Sequence, residues 1–487
     1  MTVDSIQELT VANSFAHLPP AFYTKLPATP LTRPRLLHAN TSVAGLLGLS
    51  AKALDRSDFL DVCSGNVALS GGETLSAVYS GHQFGNWAGR LGDGRAHLLG
   101  EVTGPHGALE IQLKGSGLTP YSRTADGRAV VRSSVREYLA SEAMAGLGIP
   151  TTRALAIVVG DDAVYREVQE RAAIVARVSP TFIRFGSFEH WWNNPENMRV
   201  LLDYCVAKFY PECQNAGGPR DVALAFLRHV VERSARLVAD WQTVGFCHGV
   251  MNTDNMSIVG LTMDYGPYGF MDGFQIDYVC NHSDVQGRYA WNAQPSIMHW
   301  NLYRLASSLA VLNIDEDALR AELQRFEAEF VAAYRDNLLR KFGWRYWQEG
   351  DEKLVDDWWQ LLHAQRADFT LCFRRLAQAP DNPDPWLALF VDPGAALEWF
   401  AAYKQRLALE GRLDDERIAG MLGVNPLYVL RNHLAEQAIR AAQNGDAGEI
   451  RTLLKLLSDP FTEHAGYDAY AQVAPDWACQ LEVSCSS

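Results

Sequence analysis

Between residues 96 and 179 the chain shows an order that few folds accept: two strands joined by a tight turn, one isolated helix, then more strands. A mostly helical remainder follows. "AHLLGEV" and "ALEIQLKG" alternate apolar and polar residues around the Pro/Gly turn "GPHG", which predicts a β-hairpin. "SSVREYLASEAMAGLG" predicts a helix, with Val135, Leu139, Ala143 and Leu147 along one side and Gly148 as its stop. "TTRALAIVV", "AVYREV" and "AAIVARVS" read as further strands, the first two separated by a turn at "GDD". Past residue 300, "LRAELQRFEAEFVAAYRDNLLRKF" and "GAALEWFAAYKQRLAL" carry helical period. The expected class is α+β, with a β-rich lobe bearing one key helix set on a larger helical lobe.

The divisions expected are an N-terminal extension over 1–70, rich in Pro ("LPPAFYTKLPATPLTRPR"), a β-rich lobe over 71–188, a core of the helical lobe over 189–300, and a helical remainder with a tail over 301–487. Composition fits a globular protein of 487 residues: 48% hydrophobic and 21% charged. A net charge of −14 argues against a broad nucleic-acid footprint, so any nucleotide site needs its own local cations. No stretch has the length of a membrane span, and "MTVDSIQELTVANSF" has no basic-then-apolar leader, so a cytoplasmic location is expected. Eight cysteines lack C-x-x-C spacing, which indicates neither a zinc site nor a disulfide framework; most read as buried thiols.

Four groups of residues can carry chemistry. In "GRLGDGRAHLLGEV", Gly92 and Gly94 precede a strand where backbone N–H groups can approach phosphate, and Arg95 adds a guanidinium. A simple turn is the alternative. Lys114 ends the strand "LEIQLK", as a phosphate-gripping lysine does in protein kinases, with Glu137 on the following helix as its partner. The alternatives are a solvated lysine and a Ser134–Glu137 capping box, with Glu142 as the fallback partner. Asp126 and Gly127 in a long polar loop, Arg177 inside an apolar strand, and Arg184 could line a nucleotide cradle, although a structural ion pair would equally explain a buried arginine.

The fourth group is "CHGVMNTDNMSIVGLTMDYG". His248, Asn255 and Asp264-Tyr265-Gly266 fall near the spacing of a kinase catalytic loop and its Asp-Phe-Gly, but Val250 stands where the catalytic Asp belongs. Asn255 and Asp264 are hard oxygen ligands, and a hairpin over "MSIVGLTM" would bring both to one Mg²⁺. With the lobe order above, this suggests a protein-kinase-like two-lobed fold.

Long blocks of the chain resemble the selenoprotein O family: "YSGHQFGNWAGRLGDGRA", "IQLKGSG", "TPYSRTADGRAVVRSSVREYLASEAM", "HGVMNTDNMSIVGLTMDYGPYGFMD", "NHSDVQGRYAWNAQP" and the tail "CSS". The resemblance implies a pseudokinase that binds ATP in reversed orientation and transfers AMP to Ser, Thr or Tyr hydroxyls of proteins. It further implies phosphate contacts from Gly92, Gly94, Arg95, Lys114, Arg177 and Arg184, and Glu137 positioning Lys114. Asp126 and Gly127 would contact the nucleotide, Asn255 and Asp264 would hold Mg²⁺ (or Mn²⁺), and Asp254 would accept the proton. In some members the third-last residue is selenocysteine; here it is Cys485. Cys280 opens a segment at activation-loop distance from Asp264, and a reversible Cys280–Cys485 disulfide is a regulatory expectation, two unrelated thiols being the alternative. Rival expectations are uridylyl transfer with Mn²⁺, ordinary phosphotransfer with Asp254 as base, and a non-catalytic nucleotide-binding scaffold.

Overall fold

The computed structural model describes residues 2–484. It is a mixed α+β protein built on one large antiparallel sheet. The strands are β1 (Tyr23–Lys25), β2 (Arg35–Ala39), β3 (Leu75–Ala77), β4 (Ser80–Gln83), β5 (Asn86–Arg90), β6 (Ala96–Gly104), β7 (Gly107–Lys114), β8 (Ala129–Val130), β9 (Arg153–Tyr165), β10 (Gln169–Ser179), β11 (Phe246–Cys247) and β12 (Gly269–Phe270). The main sheet runs β1-β3-β6-β7-β10-β9-β2, with β8 added against β10, so the first 70 residues supply both outer strands. β4–β5 and β11–β12 form separate two-stranded pairs.

The expected hairpin is β6–β7, paired from Ala96 opposite Lys114 to Gly104 opposite Gly107. "GDD" is not a turn: β9 runs unbroken through it. Asp162 accepts hydrogen bonds from the backbone and hydroxyl of Thr32 (2.7 and 2.8 Å), and Asp161 accepts from Arg35 (2.6 Å). These long-range partners hold polar residues in an extended strand, and the chain reverses instead at residues 166–168. Within itself the run "MSIVGLTM" makes one bridge, Met256 to Thr262, rather than a strand pair, and Ser257 and Thr262 bridge outward to Arg184 and Thr151.

Helix α1 (Thr41–Leu46), α2 (Ser57–Cys63) and the first segment cover one face of the sheet, where Leu47 and Phe59 pack on Ile111, Leu113, Val158 and Ile174. Helix α3 (Val131–Gly146) covers the other, burying Val135, Leu139 and Ala143 against Ile157, Ala173 and Val175. It begins four residues earlier than a Ser134–Glu137 cap would require. Ser133 instead accepts from the Val130 amide, and the expected box is absent because both of its residues lie inside the helix. Gly148 ends the helix with a positive φ of 77°.

Strand periodicity decides which side chains reach the site. On β10, Ala172, Ile174 and Ala176 join the α1–α2 core, while Ala173 and Val175 face α3 and Arg177 continues that second set. On β7, Ile111 and Leu113 take the first face, leaving Gln112 and Lys114 for the second. The register sets Gln112 opposite Arg177 and Lys114 opposite Val175. Helices α4 (Phe185–Glu189), α5 (Pro195–Phe209), α6 (Pro219–Thr243) and α7 (Gln294–Leu309) then lead into further helices up to Ser458. No helix among the described residues is long and apolar enough to cross a membrane.

Candidate active site

The second face of β7 and β10, the polar loop after β7 and the loop between β11 and β12 converge on a cavity of about 630 Å³. Gly92, Gly94, Arg95, Lys114, Asp126, Gly127, Arg177, Arg184, Asp254, Asn255 and Asp264 all line it.

Its floor is a charge cluster centred on Asp264. Lys114 Nζ donates to Asp264 Oδ1 (3.0 Å) and contacts Glu137 Oε2 (2.8 Å). Arg177 Nη1 bridges Glu137 Oε1 (2.8 Å) and Asp264 Oδ1 (2.6 Å), and Arg177 also donates to Gln112. Arg184 Nη1 donates to Asp264 Oδ2 (2.6 Å) and to the Asp254 carbonyl (2.7 Å), with its guanidinium over the Tyr79 ring. Burial alone would raise the Asp264 pKa, but Lys114, Arg184 and Arg177 hold it well below the usual carboxylate range. Glu137 is thus the partner of Lys114; the fallback, Glu142, instead forms a two-point pair with Arg153 at 2.9 and 2.7 Å.

The rim is built by close backbone approach. Gly92 has φ +141°, and a Cβ there would lie 2.4 Å from the Tyr121 ring; a Cβ on Gly94 would meet the Tyr121 carbonyl at 2.8 Å. Only glycine fits both positions. Asp126 accepts two hydrogen bonds from Arg166 (2.7 and 2.9 Å), which holds its pKa below the usual range.

Asp254 lies in a single 3₁₀ turn, Thr253–Asn255. Its Oδ2 accepts from Gln83 (3.1 Å), whereas Oδ1 is buried without a hydrogen-bond partner. Burial, opposed by Gln83 and Arg184, pushes its pKa up to about 6. Asn255 donates through Nδ2 to the Val250 carbonyl (3.0 Å), which leaves its oxygen for other use. His248 is a buried brace: Nε2 meets the Met263 carbonyl (3.2 Å) and burial lowers its pKa to about 4.

Gln83, Asp93 and Arg166 are among the polar residues of the site that escaped the sequence reading. Gln83 and Asp93 sit inside the glycine-flanked stretches "GHQFG" and "GDG", a signal that was available. Asp93 lies 3.9 Å from Arg184 and accepts from the Ala77 amide (3.1 Å). Arg166 is legible only once β9 and β10 are paired. Cys280 is buried, with Sγ 2.9 Å from the Pro267 carbonyl, and burial pushes its thiol well above the usual range. Cys485 lies outside the described residues, although the amide of His282 donates to the carbonyl of Val483 (2.9 Å). No three His, Cys, Asp or Glu side chains among the described residues are grouped to hold a metal ion.

A pocket with buried cations on its floor and a glycine-built rim is suited to a polyphosphate, the class of site that nucleotide-using proteins carry. Comparison with known proteins narrows that class. Residues 5–458 match the family model for protein adenylyltransferase SelO. The chain is 62% identical to the protein nucleotidyltransferase YdiU of Bordetella petrii, covering all of both chains, and 60% identical to that of Bordetella avium at the same coverage. The protein of the same name in Herminiimonas arsenicoxydans is 49% identical over 99% of this chain and 98% of its own. The chain belongs to the SelO family and is an enzyme of the nucleotidyltransferase class.

Proposed function

We propose that this enzyme is a protein adenylyltransferase: it takes AMP from ATP, bound in the reverse of the kinase orientation, and places it on a Ser, Thr or Tyr hydroxyl of a protein in the cytoplasm. The reading casts residues 71–188 as the small lobe of a kinase-like fold, 189–300 as the core of its helical lobe and 301–487 as the remainder of that lobe with its tail, with 1–70 as an extension. The observation that carries it is the convergence of Lys114, Arg177 and Arg184 on the floor of the cavity, while the unpartnered Oδ1 of Asp254 borders the same space.

In the reaction, the acceptor oxygen bonds to the α-phosphorus, the bond from that phosphorus to the β-phosphate bridge breaks, and pyrophosphate leaves. The hydroxyl proton passes to Asp254. Pyrophosphate is the most highly charged species formed. Buried, already oriented guanidinium and ammonium groups stabilise it without reorganisation at the moment of reaction. In the structure these groups rest on Asp264, so the carboxylate keeps three cations in place that phosphate oxygens can then engage. The nucleoside end is left to the outer rim, where Asp126 and Gly127 line the cavity.

The donor set fits a Mg²⁺ or Mn²⁺ ion: Asn255 and Asp264 offer hard oxygens, Asp254 Oδ1 is buried and unpartnered beside them, and too few carboxylates cluster to hold a metal without phosphate. Such an ion, held by Asn255 and Asp264, would neutralise phosphate charge during transfer.

The test supplies ATP labelled at the α- or the γ-phosphate, with Mg²⁺ and a protein acceptor, to the native chain and to Asp254→Asn. Label entering protein from α-labelled ATP alone, and falling at least a hundredfold in the variant with ATP affinity retained, is the expected result. Label from γ-labelled ATP alone would establish ordinary phosphotransfer instead. Higher activity with labelled UTP and Mn²⁺ would favour uridylyl transfer.

A further inference from the structure

Strand β4 has two sides, and only one belongs to the cavity described above. Gln83 points into that cavity and binds Asp254, while its neighbour His82 points the other way, into a second pocket of about 300 Å³. Trp87, Trp192, Glu189 and Arg304 share this pocket with His82. Trp87 is 47% exposed and Trp192 58%, an unusual exposure for two tryptophans flanking one depression.

The two pockets are separated by a single layer of bonded groups. The His82 amide donates to Thr253 Oγ1 (2.8 Å), the Thr253 hydroxyl donates to Glu189, and Glu189 Oε1 meets His82 Nδ1 (2.6 Å). Both oxygens of Glu189 are therefore engaged inside the wall. Burial drives this pair toward its neutral forms, His82 down to about 4 and Glu189 up to about 7. Contact is close enough that a Cβ on Gly81 would lie 2.9 Å from Thr253 Oγ1. Anything seated in the second pocket thus lies one residue from Asp254.

Positive charge lies in and beside the pocket, on Arg304 of its lining and on the neighbouring Arg288, and among the described residues no carboxylate is hydrogen-bonded to either guanidinium. Arg288 and Arg304 both lie over the Trp300 ring, at 4.8 and 5.8 Å from its centroid, and Trp300 itself packs edge-on against His82. The nearest acid to Arg304 is Glu189, at 3.9 Å and already bound elsewhere. The Nε atoms of both arginines are buried without a partner. In a chain of net charge −14 this is a local inversion of sign beside the reactive carboxylate.

We propose that this pocket is where the acceptor protein docks, and that it takes an acidic, aromatic-bearing segment next to the hydroxyl to be modified. The tryptophans supply flat apolar area at low entropic cost, and the guanidiniums select carboxylate. The proposal rests on the protein-nucleotidyltransferase reading for its partner, but docking can be measured without turnover.

The probe is a random copolymer of glutamate and tyrosine, titrated at fixed ionic strength against the native chain, Trp192→Ala and Arg304→Gln. ATP affinity is measured alongside as a check on folding. The expected result is binding to the native chain that weakens about tenfold or more in each variant, with ATP affinity unchanged. No binding to the native chain, or equal binding in all three, would overturn the proposal. So would displacement of the copolymer by poly(uridylic acid) binding more tightly through Trp192, which would make the pocket a nucleic-acid site. Variant-sensitive docking without transfer of label from α-labelled ATP to the copolymer would uphold this pocket and count against adenylyl transfer.

Discussion

Replacing Asp264 by Asn tests whether one carboxylate holds the cations of the cavity floor together. Asn keeps the shape and tolerates the left-handed backbone found there, φ +59°, so the perturbation is confined to charge. In the native chain three cationic groups contact Asp264 at 3.0, 2.6 and 2.6 Å. At an effective dielectric near 20, unit charges at those separations attract by about 6 kcal/mol each before desolvation is counted. The variant leaves Lys114 and Arg177 with Glu137 but strips Arg184 of its hydrogen-bonded carboxylate, since Asp93 is 3.9 Å away. Removing one partner from a buried ionic cluster costs about 3–5 kcal/mol net. The assay is urea unfolding of both chains, with and without ATP. A drop of that size in the free chain, partly recovered on ATP addition because phosphate supplies the missing negative charge, is expected. A free variant as stable as the native chain would refute the reasoning, because the cations would then not depend on Asp264.

Glu110 on β7 is buried, bound through Oε2 to the Phe182 amide (3.0 Å), and pushed by burial up to about 8. Its folded form therefore holds a proton that the unfolded chain releases near 4.5, so native stability falls as pH rises between those values, by up to about 1.4 kcal/mol per pH unit. Urea midpoints of the native chain and Glu110→Gln from pH 5 to pH 8 should show the native chain losing ground steadily; a constant difference would contradict this. For the tail, the proposed reversible Cys280–Cys485 link is tested by Cys485→Ser, which should abolish any loss of activity on mild oxidation that reductant reverses. Equal redox sensitivity in native and variant chains would end that idea.

What could be read from the sequence was local or periodic. The β6–β7 hairpin, the buried side of α3, and the pairing of Lys114 with Glu137 follow from alternation, a helical stripe and a strand-to-helix order. What could not be read depended on partners far away in the chain. "GDD" carries every local sign of a turn, yet Asp161 and Asp162 are held extended by Arg35 and Thr32, more than 120 positions earlier. Gln83 reaches Asp254 across 171 positions, and its importance is invisible until β4 is laid over the Thr253–Asn255 turn.

Arg177 and Arg184 show a subtler limit. A buried arginine in an apolar strand signals an ion pair or an anion site, and sequence offers no way to choose. The structure places both residues on the cavity lining and also on Asp264, so the ion pair is present and, on the adenylyltransferase reading, phosphate contact would be a second use of the same group. A cation that must meet polyphosphate inside an acidic protein needs a carboxylate to hold it while the pocket is free, because an unpaired buried charge is too costly. The carboxylate must also yield when phosphate arrives. Asp264 meets the first demand through its three contacts, and on the adenylyltransferase reading it would meet the second from its place on the cavity floor, where incoming phosphate oxygens would compete for the same N–H groups.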